Sequence, residues 1–184
     1  GQGTKTILVQ GVTNLKKALP IIVSSLLSKK TLKLSNVPNV VDVLNLIKLL
    51  KNYGVKIEHK KNKLKINPSK IKNLSADYDV VRKMRASILI LGPLLSRFGE
   101  ARISLPGGCA IGTRPIDIHL AGLSKLGANF EIQNGFVVGS VKSQLIGNKI
   151  KLPFPSVGAT ENILMASVLA LSLIHISEPT RHRR

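Results

Sequence analysis

The sequence predicts an α/β protein assembled from repeated units of about seventy residues. Three observations support this. A helical pattern running into a glycine and then a hairpin occurs twice, from Asp42 to Glu58 and from Asp117 to Ile132. Three nearly all-apolar helical segments start near Ala18, Arg85 and Thr160, one for each unit. Short alternating runs follow each of the two complete helical patterns.

The first unit opens with Ala18-Leu-Pro-Ile-Ile-Val-Ser-Ser-Leu-Leu, which is apolar on nearly every side and therefore reads as a buried helix. After an intervening strand, Val43, Leu46, Ile47 and Leu50 recur at the spacing of one helix face. Asp42 stands where an N-terminal cap or a first-turn acid is favoured. Gly54 stands where a helix C-terminal glycine belongs. Val55-Lys-Ile-Glu and Leu64-Lys-Ile-Asn then flank Lys60 to Lys63 as a hairpin.

The second unit repeats this order. Ala86-Ser-Ile-Leu-Ile-Leu-Gly-Pro-Leu-Leu is its buried helix, and Ile118, Leu120, Leu123 and Leu126 form the stripe of its amphipathic helix. That helix lies between Asp117 and Gly127. Ala128 to Ile132 and the run from Phe136 flank Gln133-Asn134-Gly135, and Asn-Gly is a strong hairpin signal. Asn162-Ile-Leu-Met-Ala-Ser-Val-Leu-Ala begins a third unit. Residues 1–170 are thus expected to be two units and the start of a third, a partial domain. Residues 171–184 abandon the pattern and are expected to be a foreign tail.

A formal charge of +19 alone would suggest a polyanion partner. The aromatic residues are too few, at 3%, and too scattered to form stacking platforms for nucleic acid. The lysines are spread along the chain apart from Lys60, Lys61, Lys63 and Lys65, which favours a solvated face and no nucleic-acid partner. One cysteine excludes an internal disulfide and fits a reducing compartment. Gly1 to Lys5 lacks the start of a secretory signal. The apolar runs Ile88 to Leu95 and Ile163 to Ile176 fall short of the roughly 20 residues of a spanning helix. The expectation is a soluble cytoplasmic protein with no membrane partner. His59 and His119 lack a Cys or His at ligand spacing, and His175 and His182 lie in the tail, so no metal site is expected.

The most informative stretch is Leu105-Pro-Gly-Gly-Cys-Ala-Ile-Gly-Thr-Arg-Pro-Ile-Asp117. Gly107 and Gly108 free the backbone ahead of Cys109. Arg114 is a permanent cation whose planar fork suits phosphate, and a nearby cation favours thiolate over thiol. Taken alone, the pattern fits either a reactive thiol beside an anion site or a small buried hydrophobe after a turn.

The spacing of this stretch strongly resembles the loop of the UDP-N-acetylglucosamine 1-carboxyvinyltransferase family, enolpyruvyl transferases of bacterial peptidoglycan synthesis. The resemblance runs from about Ile7 to Ala170, roughly the first two-fifths of a typical member. It implies an inside-out α/β barrel of such units, with only the first domain present and incomplete. The implied reaction transfers the enolpyruvyl group of phosphoenolpyruvate to the 3-hydroxyl of UDP-N-acetylglucosamine and releases phosphate, with no cofactor.

The resemblance makes Cys109 the proton donor on a closing loop. It assigns Arg85, Arg114, Pro115, Ile116, Asp117 and Ile118 to the nucleotide-sugar substrate, together with Pro155, Ser156, Val157 and Gly158. Small residues before a helix also let backbone N–H groups approach a phosphate. Arg114 would help hold phosphoenolpyruvate. Lys16 is a weaker candidate for that role, because the family's Ser-Gly-Ala-Lys-Asn run before Ala18-Leu19-Pro20 is missing. The family's aspartate base and further arginines lie beyond the resemblance, so the chain is expected to be inactive alone. A full-length member is expected to be a monomer. The shikimate-pathway enolpyruvyl transferase is the nearer alternative and lacks this cysteine loop. A basic nucleic-acid-binding module is the more distant one.

Overall fold

A computed structural model of the chain describes residues 8–9, 15–71, 74, 85–104, 116–171 and 175–177. The first unit contains β1 (Leu8–Val9), α1 (Leu15–Ser24) with a 3-10 turn (Ser25–Leu27), β2 (Leu32–Leu34), α2 (Val41–Asn52), β3 (Lys56–Lys60) and β4 (Lys63–Asn67). The second contains a 3-10 helix (Arg85–Ile90) running into α3 (Leu91–Phe98), then β5 (Glu100–Ser104), α4 (Asp117–Lys125), β6 (Ala128–Gln133) and β7 (Phe136–Val141). The third contains β8 (Lys149–Lys151), α5 (Val157–Ser167) and β9 (His175–Ser177).

The sheets reproduce the repeat. The first has the order β1-β2-β4-β3, with β1 parallel to β2 and the other pairs antiparallel. In the second, β5-β7-β6 is the counterpart of β2-β4-β3. The third pair, β8 and β9, is parallel like β1 and β2. The structure therefore adds to the sequence pattern a strand ahead of the buried helix, which forms a parallel crossover through it. Residues 175–177, expected to stand outside the pattern, occupy the place beside β8 that β2 takes beside β1. Such pairing is made by the backbone and is open to any extended segment that meets a free strand edge.

Local chemistry accounts for the element ends. Gly54 (φ 89°) closes α2 with the Val55 N–H on the Leu50 carbonyl and the Gly54 N–H on the Lys51 carbonyl, the paired bonds of a Schellman turn. Gly127 (φ 97°) follows α4 with its N–H on the Ser124 carbonyl. Asn134 and Gly135 both have positive φ, as the tight turn between β6 and β7 requires. Asp42 and Asp117 lie in the first turns of α2 and α4 rather than at their caps, which are Val40 and Ile116. As first-turn acids they still complement the helix dipole.

The buried helices pack together. Ile22, Val23 and Leu26 of the first unit, Ile90, Leu91 and Leu94 of the second, and Ala159, Ile163 and Ala166 of the third share one core. Arg97 ties the second unit to the first by donating to the carbonyls of Leu26, Ser28 and Pro68. Lys33, Lys60, Lys63 and Lys65 lie exposed on the first sheet, where Lys65 pairs with Glu58 at 3.0 Å. The inward face of α4 differs from the expected stripe. Leu120 is only half-buried, while His119 and Gly122 turn inward because Gly122 leaves room for the Ile163 side chain.

Candidate functional site

The site is built from helix beginnings. Ser156 has extended backbone (φ −141°, ψ 102°), and its Oγ accepts the Ala159 N–H at 3.3 Å. This is N-cap chemistry, and it starts α5 immediately after Pro155. The first turn of any α-helix leaves N–H groups without intrahelical partners and suits anions. Val157 is 74% exposed and Gly158 is half-buried, so this helix beginning is open at Val157.

α4 begins beside it. The half-buried Ile116 accepts the N–H groups of His119 (2.9 Å) and Leu120 (3.0 Å) on its carbonyl. Asp117 is exposed and Ile118 is buried. A β-carbon at position 158 would stand 3.4 Å from Cε1 and 3.6 Å from Nε2 of His119. Gly158 thus lies against the His119 ring, with room for no more than a methyl group between them. Two candidate segments far apart in sequence, Ile116–Ile118 and Pro155–Gly158, meet through this contact.

Asn162, fully buried on α5, adds a third segment. Its Oδ1 accepts the Gly92 N–H at 2.8 Å, and its Nδ2 donates to the Ile88 carbonyl at 2.9 Å. In a continuous α-helix the Gly92 N–H would bond to the Ile88 carbonyl. The carboxamide is inserted into that missing bond at the junction of the 3-10 helix and α3. With Oδ1 engaged by Gly92, Nδ2 also donates to His119 Nδ1 at 3.2 Å. Nδ1 is then an acceptor, so the neutral ring carries its proton on Nε2, beside Gly158. Burial pushes the His119 pKa down to about 4.

Along the side of α4 a cleft of about 240 Å³ lies against the segment from Ile150 to Phe154. Ile118, Leu152 and Phe154 supply apolar lining, and Asp117, Lys125 and Lys151 supply charge. A larger hollow, about 780 Å³, lies between the end of α3 and Ser140–Gln144 and holds none of the residues expected from sequence.

Cys109, Arg114 and Pro115 lie outside the described residues. For Arg85 and Lys16 the backbone is described: Arg85 opens the 3-10 helix, and Lys16 is the second residue of α1. Ile116, Asp117, Ile118, Pro155, Ser156, Val157 and Gly158 are brought to one region. Gly92, His119 and Asn162 were not singled out by sequence reasoning. The available signal was an asparagine at the head of the apolar run Ile163 to Ala166. Among the described residues no group of three or more His, Cys, Asp or Glu is placed to hold a metal ion, and no helix is long and apolar enough to cross a membrane.

The family described as EPSP synthase (3-phosphoshikimate 1-carboxyvinyltransferase) matches residues 7–183. The UDP-N-acetylglucosamine 1-carboxyvinyltransferase of Campylobacter jejuni (serotype O:23/36, strain 81-176) is 51% identical over 164 residues, covering 89% of this chain and 38% of the relative. The protein of the same name from Paramagnetospirillum magneticum is 47% identical over 174 residues, covering 90% and 40%. The chain therefore spans about two-fifths of the length of these curated relatives. EPSP synthase from Acinetobacter baumannii superposes with a TM-score of 0.75 at 20% identity, covering 100% of this chain and 43% of that one. The enolpyruvyl transferase NikO from Streptomyces tendae superposes with a TM-score of 0.71 at 16% identity, covering 90% and 39%.

Proposed function

Because the chain belongs to the EPSP synthase (3-phosphoshikimate 1-carboxyvinyltransferase) family, we propose that it supplies the nucleotide-sugar side of a UDP-N-acetylglucosamine 1-carboxyvinyltransferase. The observation that carries this reading is the contact of Gly158 with His119, which sets the start of α5 against the start of α4. Helix beginnings favour a diphosphate through their N–H groups and dipoles. The adjoining cleft pairs an apolar wall with the Asp117 carboxylate, which suits a planar base carrying an N–H donor. Lys125 and Lys151 add positive charge at its rim. Identity near 50% to relatives bearing this name favours it over a shikimate-phosphate acceptor, which carries no nucleotide.

The reaction is addition followed by elimination. Cys109 gives a proton to the methylene carbon of phosphoenolpyruvate, and the oxocarbenium-like centre so formed is attacked by the sugar 3-hydroxyl. Elimination then returns a proton from the new methyl group to the Cys109 thiolate, expels phosphate and regenerates the carbon–carbon double bond. Arg114 neutralises phosphate charge, with Lys16 a weaker contributor, and Arg85, Pro115 and the segments already described hold the uridine nucleotide. An aspartate of the complete enzyme takes the hydroxyl proton. The wider setting is cytoplasmic peptidoglycan synthesis. Residues 1–170 carry the family domain, and residues 171–184 are of other origin.

Calorimetric titration of the complete gene product tests the reading. UDP-N-acetylglucosamine and UDP should both bind. Binding of shikimate 3-phosphate without binding of UDP-N-acetylglucosamine would assign the site to the other acceptor.

A further inference from the structure

We propose that Asn162 and His119 form a positioning pair that sets the beginnings of α4 and α5 at the nucleotide-sugar site relative to one another and to the junction of the 3-10 helix with α3, an inference that rests on the reading above. Asn162 stands on α5, and its carboxamide bonds to the Gly92 N–H, the Ile88 carbonyl and His119 Nδ1. One side chain thereby joins the helix begun at Val157, the helix begun at Asp117, and the junction of the 3-10 helix begun at Arg85.

The arrangement is specified rather than incidental. Asn162 is wholly buried and His119 is 9% exposed, so neither can exchange its bonds for water. Gly92 is committed to the same contact, because a β-carbon there would overlap the Asn162 carbonyl oxygen and stand 2.5 Å from Oδ1. The far side of the His119 ring faces Gly158, the second residue of the helix that Ser156 caps. A change at Asn162 is therefore transmitted through His119 to the turn proposed to face the diphosphate. Displacement of a binding group by about an ångström is enough to change function by one or two orders of magnitude.

Steady-state kinetics on the complete gene product test the pair. His119→Leu removes the acceptor for Nδ2, and His119→Gln restores one through its side-chain oxygen. His119→Leu and Asn162→Ala should each raise KM for UDP-N-acetylglucosamine about tenfold while leaving KM for phosphoenolpyruvate within about twofold. His119→Gln should recover most of the loss. A purely structural role would lower kcat in proportion to the folded fraction and leave the ratio of the two KM values unchanged, which would overturn the proposal. Asn162→Ala is the variant more liable to misfold, and His119→Leu with its glutamine rescue then decides alone. A wild-type protein that binds no UDP-N-acetylglucosamine overturns the reading of the site together with this inference. Normal wild-type binding with unmoved variants overturns the inference only.

Discussion

Acidification should destabilise this fold through one residue, His119. In the folded chain its ring is neutral, with Nδ1 accepting from Asn162 and the proton on Nε2 facing Gly158. Burial lowers its pKa from the ordinary 6.5 to about 4. Between those values the unfolded chain binds the proton and the folded chain does not, so folding stability declines as pH falls. The contribution is complete above pH 6.5 and is lost progressively down to pH 4. At 1.36 kcal/mol per pKa unit the full loss is about 3 kcal/mol. Glu161, next to Asn162, works in the opposite sense, since partial burial raises its pKa and protonation then favours the folded state. Urea midpoints measured at several pH values from 7 to 4 for the wild type and His119→Gln separate the two, because both proteins keep Glu161. The wild type should lose about 3 kcal/mol more than the variant over this range. Parallel pH profiles would refute the argument that a buried neutral imidazole is part of the folded state.

Gly92→Ala should cost more than about 3 kcal/mol by urea denaturation, because the new β-carbon meets the backbone oxygen and side chain of Asn162. Arg97→Ala should cost about 2–3 kcal/mol by thermal melting, since three carbonyls from two segments lose a charged donor. Ser156→Ala should cost about 1 kcal/mol through loss of the α5 cap, and Ser156→Asp should preserve stability in the same melting assay.

The repeat was legible because its signals are local. The apolar spacing of Val43, Leu46, Ile47 and Leu50 defines one buried helix face, and all four are buried in the structure. The Asn134-Gly135 turn specifies its hairpin by backbone conformation alone. Signals that depend on distant partners were not legible. The switch from 3-10 to α-helix at Ile90 and Leu91 is set by a carboxamide seventy residues later in the chain. His119 broke the expected stripe because its partner lies on α5 and because Gly122 lets Ile163 in. β1 and β8 are too short to show alternation and owe their form to parallel partners. In the site, the Ser156 cap could be anticipated from residue type, whereas its approach to α4 required the tertiary fold.

The central claim, that this chain belongs to an enzyme moving a carboxyvinyl group onto a nucleotide sugar, is tested most directly by phosphate release. The complete gene product would be supplied with phosphoenolpyruvate and either UDP-N-acetylglucosamine or shikimate 3-phosphate. The account predicts release with the nucleotide sugar, none with shikimate 3-phosphate, and loss of turnover in Cys109→Ala. Release with shikimate 3-phosphate alone, or undiminished turnover in Cys109→Ala, would contradict it.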